Sequence, residues 1–362
     1  MAVTRLDGPS SADLYLPVTP RTVGWGRLPM RRFEPVLSVP SGAVLVVDTL
    51  SHEGLLEDQG RDPVAFFAAH GVSRALVLPE AVRIAAEVHH DPLVDGPHVV
   101  TGPIELFDAE PGDVVEVEFL ELERRVDYGI ISNRHGKGAL PGELPEDDDG
   151  EPIEVTSLFA TVVVGRQGES GRLIAPSGAS ALWPLAPFIG LVGVAVNSDD
   201  APSSVAPGDH GGNLDIRHLG EGTRLFIPVQ VPGAGVYLSD PHFSQGDGEV
   251  ALTAFEASLR ATVRLTLHKE AAAGWNGPLG SDHDHWIVPG LHEDLNEAVR
   301  IATRRAIALM GPLGFDKATA LAYLSATADL HVSQVVDGVK GVHFRIRRAD
   351  LADVRRLPTM TM

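Results

Sequence analysis

The chain reads as an α+β protein that is predominantly β, and three observations predict it. Glycine (38) and proline (27) are plentiful among 362 residues, so turns are frequent and long helices few. Several short segments alternate apolar and polar side chains with period two, the pattern of a strand with one wet face. From residue 271 onward the pattern changes to helix, helix and hairpin. These features divide the chain into an N-terminal arm (1–19), a β-rich part (20–270) and a smaller α+β part (271–362).

The elements follow in order. Val36-Leu37-Ser38-Val39, the turn Pro40-Ser41-Gly42 and residues 44–50 predict a hairpin or bulged strand pair. Residues 62–88 are rich in alanine and predict short helices in a lid-like excursion. After the Pro111-Gly112-Asp113 turn, Val115, Val117 and Phe119 alternate with Glu116 and Glu118 in a half-buried strand. Glu146-Asp147-Asp148-Asp149 lies in a Pro/Gly loop and reads as solvated, because it lacks the spaced ligands of a calcium loop. Residues 158–164 form an apolar strand, and 184–196, apolar with spaced glycines, a fully buried strand or crossover. Residues 225–231 and 251–267 are further strands. Leu295, Val299, Ala302, Ala306 and Leu309 recur at helical spacing, with Glu293 and Asp294 in the first turn and Gly311-Pro312 as a stop. Asp316 caps a second helix, and residues 331–336 and 341–346 flank the Asp337-Gly338 turn of a hairpin.

Composition narrows the function. A net charge of −20 excludes the basic surface that nucleic acid or an anionic membrane requires. The absence of cysteine excludes disulfides, thiolate metal sites and cysteine nucleophiles. No apolar run is long enough to span a bilayer and the first residues lack a signal-peptide core, so a cytoplasmic protein is expected. There is no Gly-x-Ser-x-Gly elbow, P-loop or dinucleotide fingerprint.

The densest chemistry is Ser239-Asp240-Pro241-His242-Phe243-Ser244-Gln245-Gly246-Asp247-Gly248-Glu249, read as a connection between two strands. Its carboxylates and imidazole are hard-metal ligands and proton-transfer groups; the bland alternative is solvated turn chemistry. His210-Gly211-Gly212-Asn213-Leu214-Asp215 is a second glycine-rich loop that aims polar groups at a pocket or makes Asx turns. Gly96-Pro97-His98-Val99-Val100-Thr101-Gly102-Pro103 frames a His and a Thr that are either structural or part of a site. Asp282-His283-Asp284-His285 has metal-site composition but reads as a solvated linker ahead of a helix.

Taken in order, these segments resemble the acetamidase/formamidase family: Gly96–Pro103, His210–Asp215, Asp240–Glu249, then His331-Val332-Ser333-Gln334-Val335-Val336-Asp337-Gly338 with Lys340-Gly341-Val342-His343. The chain departs from the family pattern where Gly24-Trp25-Gly26 stands in place of a histidine beside Trp-Gly, and at 50–95, which is longer and richer in alanine. The resemblance implies a β-sandwich-like domain joined to a smaller α+β portion, assembled as a homodimer or larger homo-oligomer. It implies hydrolysis of small amides, formamide- or acetamide-like, to acid and ammonia; its alternatives are a γ-lactam hydrolase and a non-catalytic metal- or ligand-binding sandwich. A divalent metal is expected, zinc in preference to calcium, on His98, Asp215, Asp240 and His242. Glu249 is expected to move protons, Asp247 and Gln245 to orient ligands or substrate, Asn213 to bind substrate, and Thr101 to bind the oxyanion.

Overall fold

A computed structural model describes residues 14–166, 168–272 and 275–351. Residues 1–13 of the expected arm lie outside them; Tyr15–Leu16 pairs in parallel with Val46 and Val47. Among the described residues, strands assemble into two large sheets. The first runs Tyr15–Leu16, Ala43–Asp48, Leu259–His268, Val114–Arg124, Arg224–Pro228, Leu279–Ser281, His285–His292, Lys340–Arg347, Asp329–Gln334. The second centres on Val236–Ser244, which lies between Phe188–Gly193 on one side and Phe255–Glu256 and Val99–Leu106 on the other. Phe255–Glu256 continues through Tyr128–Arg134 to Val155–Gly165.

The two sheets share one core, which makes the β-rich part a sandwich. Val115, Val117 and Phe119 point from the first sheet into the same cluster as Ile104, Val236 and Leu238 of the second. Their neighbours Glu116 and Glu118 stay outside and bind His268 and Arg224. The period-two pattern is therefore the physical partition of that strand between oil and water.

A second core joins the α+β part to the first sheet. Helix Leu295–Met310 lies on His285–His292 and Lys340–Arg347 and buries Ala298, Ala302, Ala306 and Met310. That stripe is rotated from the expected one: Leu295, Val299 and Leu309 are only partly covered. Alanines face the sheet because the backbones approach closely; a methyl on Gly290 would lie 2.2 Å from the Ala298 carbonyl oxygen. Asp316 caps its helix as expected, accepting from Ala318 N and Thr319 N, while Asp294, expected in the first turn, is instead the N-cap and accepts from Glu297 N. No helix among the described residues is long and apolar enough to cross a membrane.

Three local expectations change. Leu37–Val39 and Ala43–Asp48 do not form a hairpin: the first pairs with Val99–Leu106 in one sheet and the second joins the other. The Pro40-Ser41-Gly42 turn is real, but it carries the chain between layers. The stretch from Ser239 is not a connection; through Ser244 it is a central strand, buried almost throughout. Asp282–Asp284 turns a hairpin between Leu279–Ser281 and His285–His292, so a strand intervenes before the helix. Asp282 there binds Arg345 and caps backbone N–H groups, while His283 is exposed.

Candidate active site

The site grows from the central strand of the second sheet. Asp240 and His242 stand on Val236–Ser244, both buried. Phe188–Gly193 pairs alongside and exposes Gly190 to them: a methyl there would meet Asp215 Oδ1 at 2.3 Å and Asp240 Oδ2 at 2.8 Å. The glycine is thus a space-maker for two carboxylates. Asp215, Asp240 and Glu249 all take positive φ (47°, 57° and 48°), a strained backbone for non-glycine residues. Such strain concentrates at functional sites, where surrounding structure holds it in place.

Two groups of side chains face each other across this region. In one, Asp240 Oδ1 lies 3.6 Å from His52 Nδ1 and 3.7 Å from His98 Nε2. His98 is oriented from behind by Ser204 Oγ, 2.8 Å from its Nδ1. Gly96 permits that contact, since a methyl there would lie 2.3 Å from the same hydroxyl. In the other group, His242 Nε2 is 2.9 Å from Glu256 Oε1, 3.0 Å from Asp240 Oδ2 and 3.9 Å from Glu249 Oε1, with Asp215 beside its Nδ1 at 3.9 Å. The expected metal set therefore converges in one place but splits into two clusters, His52–His98–Asp240 and Asp215–His242–Glu249, with Asp240 between them.

A cavity of about 560 Å³ opens onto both clusters, with His52, His98, Asn213, Asp215, Asp240 and Glu249 in its wall. Glu256 and Asp337 also reach it. Arg134 and Lys137 contribute positive charge to the wall, Arg134 paired with Glu53 at 3.1 Å and Asp58 at 2.5 Å.

The electrostatics are those of crowded, desolvated acids. Burial and mutual repulsion push Asp215 and Glu249 well above the usual carboxylate range, and burial beside Asp240 pushes Asp337 up to about 8. Burial also acts against charge on Asp240, but His242, His98 and His52 outweigh it and hold its pKa low. Burial pushes His98 down to about 4, so it stays neutral and able to ligate. Carboxylates outnumber imidazoles, and several buried atoms have no hydrogen-bond partner: Asp215 Oδ1 and Oδ2, Asp240 Oδ1, His52 Nδ1 and Glu256 Oε2. Buried polar atoms are rarely left unpaired. A donor set of imidazoles and carboxylates with its lone pairs unspent fits a divalent cation.

The remaining expected residues fall elsewhere. Thr101 is buried, and its hydroxyl donates to the Asp48 carbonyl, which uses it as a structural tie rather than an oxyanion donor. Asp247 is partly exposed and binds Arg217 and His331 away from the cavity wall. Gln245 faces inward and ties elements together: Oε1 meets His242 Nδ1 at 3.1 Å, and Nε2 donates to the carbonyls of Asp215 and Ser333. Asn213 does line the cavity, with an unpartnered Oδ1. Sequence reasoning missed His52, Glu53, Glu256 and Asp337 as site residues. His52 and Glu53 lie between the strand Ala43–Asp48 and the alanine-rich excursion, and that polar His-Glu pair shortly after a strand was the available signal.

Comparison with known proteins agrees with this picture. Residues 193–343 match the Acetamidase/Formamidase family. A formamidase of Methylophilus methylotrophus is 27% identical over 299 residues, covering 66% of this chain and 73% of that protein. An acetamidase of Mycolicibacterium smegmatis is 29% identical over 243 residues, covering 55% of this chain and 59% of its own length. The folds of acetamidases from Yersinia enterocolitica (TM-score 0.74, 23% identity, 95% of this chain and 94% of that one) and Bacillus halodurans (0.72, 21%, 95% and 100%) superimpose on nearly the whole chain. The order of motifs, the fold and the sequence matches converge, and the chain is similar to the acetamidase/formamidase family, most directly over residues 193–343.

Proposed function

We propose that this protein is an amidohydrolase that cleaves the C–N bond of small linear amides to a carboxylic acid and ammonia. The observation that carries the reading is the convergence of His52, His98, Asp240 and Glu249 on one cavity. The names of the sequence relatives, formamidase and acetamidase, support the amide class.

His52, His98 and Asp240 would hold a divalent cation, zinc in preference to calcium because two imidazoles and one carboxylate are nitrogen-rich. When bound, the cation supplies Lewis acidity to the amide carbonyl and to an attacking water. The residues of the chain do the rest. Glu249, whose carboxylate form the positive charge of a bound cation would favour, takes a proton from the water as it adds to the carbonyl carbon, then returns it to the nitrogen as the C–N bond breaks, so that ammonia leaves. Asn213 Oδ1, unpartnered at the wall, accepts an amide N–H and orients the substrate. Gln245 locks the His242 ring and the Asp215 backbone. Arg134 fixes Glu53 beside His52. On the resemblance alone we extend the proposal to a homodimer acting in the cytoplasm.

The test is Glu249→Gln, which keeps shape and removes the proton acceptor. Ammonia release should fall by roughly 10²–10⁴-fold, with metal content and melting temperature near those of the parent. Full turnover by a folded Glu249→Gln protein would remove Glu249 from the mechanism.

A further inference from the structure

Outside the cavity, a second cluster gathers His218, His331 and His343. His331 and His343 are directly opposed on the antiparallel pair Asp329–Gln334 and Lys340–Arg347, so their side chains share a face. Their rings stack with centroids 5.2 Å apart. His218 comes from the loop beyond Asp215 and closes the group, its ring 4.8 Å from His331 and 5.1 Å from His343. One nitrogen from each ring lies within 4.8 Å of the others.

The outward nitrogens are already occupied. His331 Nδ1 is 2.8 Å from Asp247 Oδ2, and His343 Nδ1 is 2.8 Å from Ser333 Oγ. A carboxylate or hydroxyl on one ring nitrogen fixes the tautomer and turns the lone pair of the other inward, the arrangement that supports imidazole ligands of metals. The inward nitrogens are His331 Nε2, buried without a partner, and the facing pair His218 Nδ1 and His343 Nε2, 2.9 Å apart. Nitrogens on a tetrahedral zinc, at bond lengths of about 2.0–2.1 Å, stand roughly 3.3 Å from one another, so small ring rotations complete the site. The two nearby guanidinium groups are spoken for, Arg217 by Asp247 and Arg345 by Asp282. Burial and neighbouring cations keep His218 and His343 below the ordinary imidazole range, and so neutral.

We propose that His218, His331 and His343 form a second metal site for a nitrogen-seeking divalent ion of the zinc class, separate from the carboxylate-rich cavity. The site joins the C-terminal hairpin to the loop that carries Asp215. Ser333, which orients His343 through its hydroxyl, also accepts from Gln245 through its carbonyl, so an ion there braces the wall of the cavity from outside. Asp247 gains a role on this reading: it orients His331 rather than the substrate.

The experiment uses the untagged full chain, stripped with chelator and reloaded with Zn²⁺ or Co²⁺. Metal per chain and the metal-induced rise in melting temperature are measured for the parent, His331→Ala, His218→Ala and Asp240→Asn. The two histidine variants should each hold about one equivalent less than the parent and lose one component of the thermal shift, whereas Asp240→Asn should lose the cavity equivalent instead and keep the component that the histidine variants lose. Because His331 and His218 are partly exposed, at least one of these variants is expected to fold; circular dichroism of the metal-free forms verifies it. Equal metal content and equal thermal shift in the parent and a folded histidine variant would overturn the proposal and leave a hydrogen-bonded histidine cluster.

Discussion

Gly190→Ala tests the architecture of the site without touching a ligand. The added methyl would sit 2.3 Å from Asp215 Oδ1, 2.8 Å from Asp240 Oδ2 and 3.0 Å from His242 Cε1. Ordinary van der Waals contact begins near 3.4 Å. Asp215 must therefore retreat by about 1 Å and Asp240 by about half that, and both are buried in packed surroundings with positive φ. A misplacement of about 1 Å in a catalytic array costs on the order of 10²-fold in rate, which is about 2.7 kcal/mol of transition-state stabilisation. Overpacking a core position also costs stability, about 1–3 kcal/mol. The assay is kcat/KM for amide hydrolysis, read beside metal content and melting temperature. Gly190 takes no positive φ, so backbone strain is not a second cause of any loss. A folded Gly190→Ala protein with parental kcat/KM and metal content would refute the placement of the site.

Two further predictions address the frame around it. Gly290→Ala should destabilise the α+β part by roughly 1–3 kcal/mol or more, because the methyl would meet helix backbone, Ala298 O at 2.2 Å and Ala302 N at 2.4 Å, rather than a yielding side chain; a drop in melting temperature checks it. His210, pushed down to about 4 by burial, should make stability depend on pH. Its folded pKa lies below the ordinary 6.5, so the unfolded chain binds more protons between these values. Its contribution is complete above about pH 6.5 and falls as pH drops toward 4, by up to about 3 kcal/mol. Chemical denaturation at pH 7 and pH 4.5 should show a smaller difference for His210→Gln than for the parent.

What could be read in the chain, and what could not, follows the range of the forces involved. The helix cap at Asp316 and the alternation through Val115, Val117 and Phe119 are local, and the structure keeps them. The segment from Asp240 to Glu249 was legible because its ligand types are dense, and Asp240, His242 and Glu249 do meet. Proximity in sequence misled at Asp247, which the Gly246-Asp247-Gly248 turn carries outward to Arg217 and His331. Pairing between distant strands was not legible. The Pro40-Ser41-Gly42 turn looks like a hairpin because nothing local says that its two arms belong to different sheets. For the same reason Glu256 was missed: it reaches His242 only because Phe255–Glu256 pairs with Val236–Ser244, a register that no short motif encodes. The rotated stripe of Leu295–Met310 has a different cause, since close packing over Gly290 selects small side chains over greasy ones.

The most direct measurement is ammonia release from formamide, acetamide, propionamide and a γ-lactam by the purified protein, with metal content determined on the same sample and after chelation. The account predicts turnover of the linear amides, loss of activity when the metal is removed, and recovery when zinc is restored. A folded, metal-loaded protein that releases no ammonia from any linear amide would contradict it.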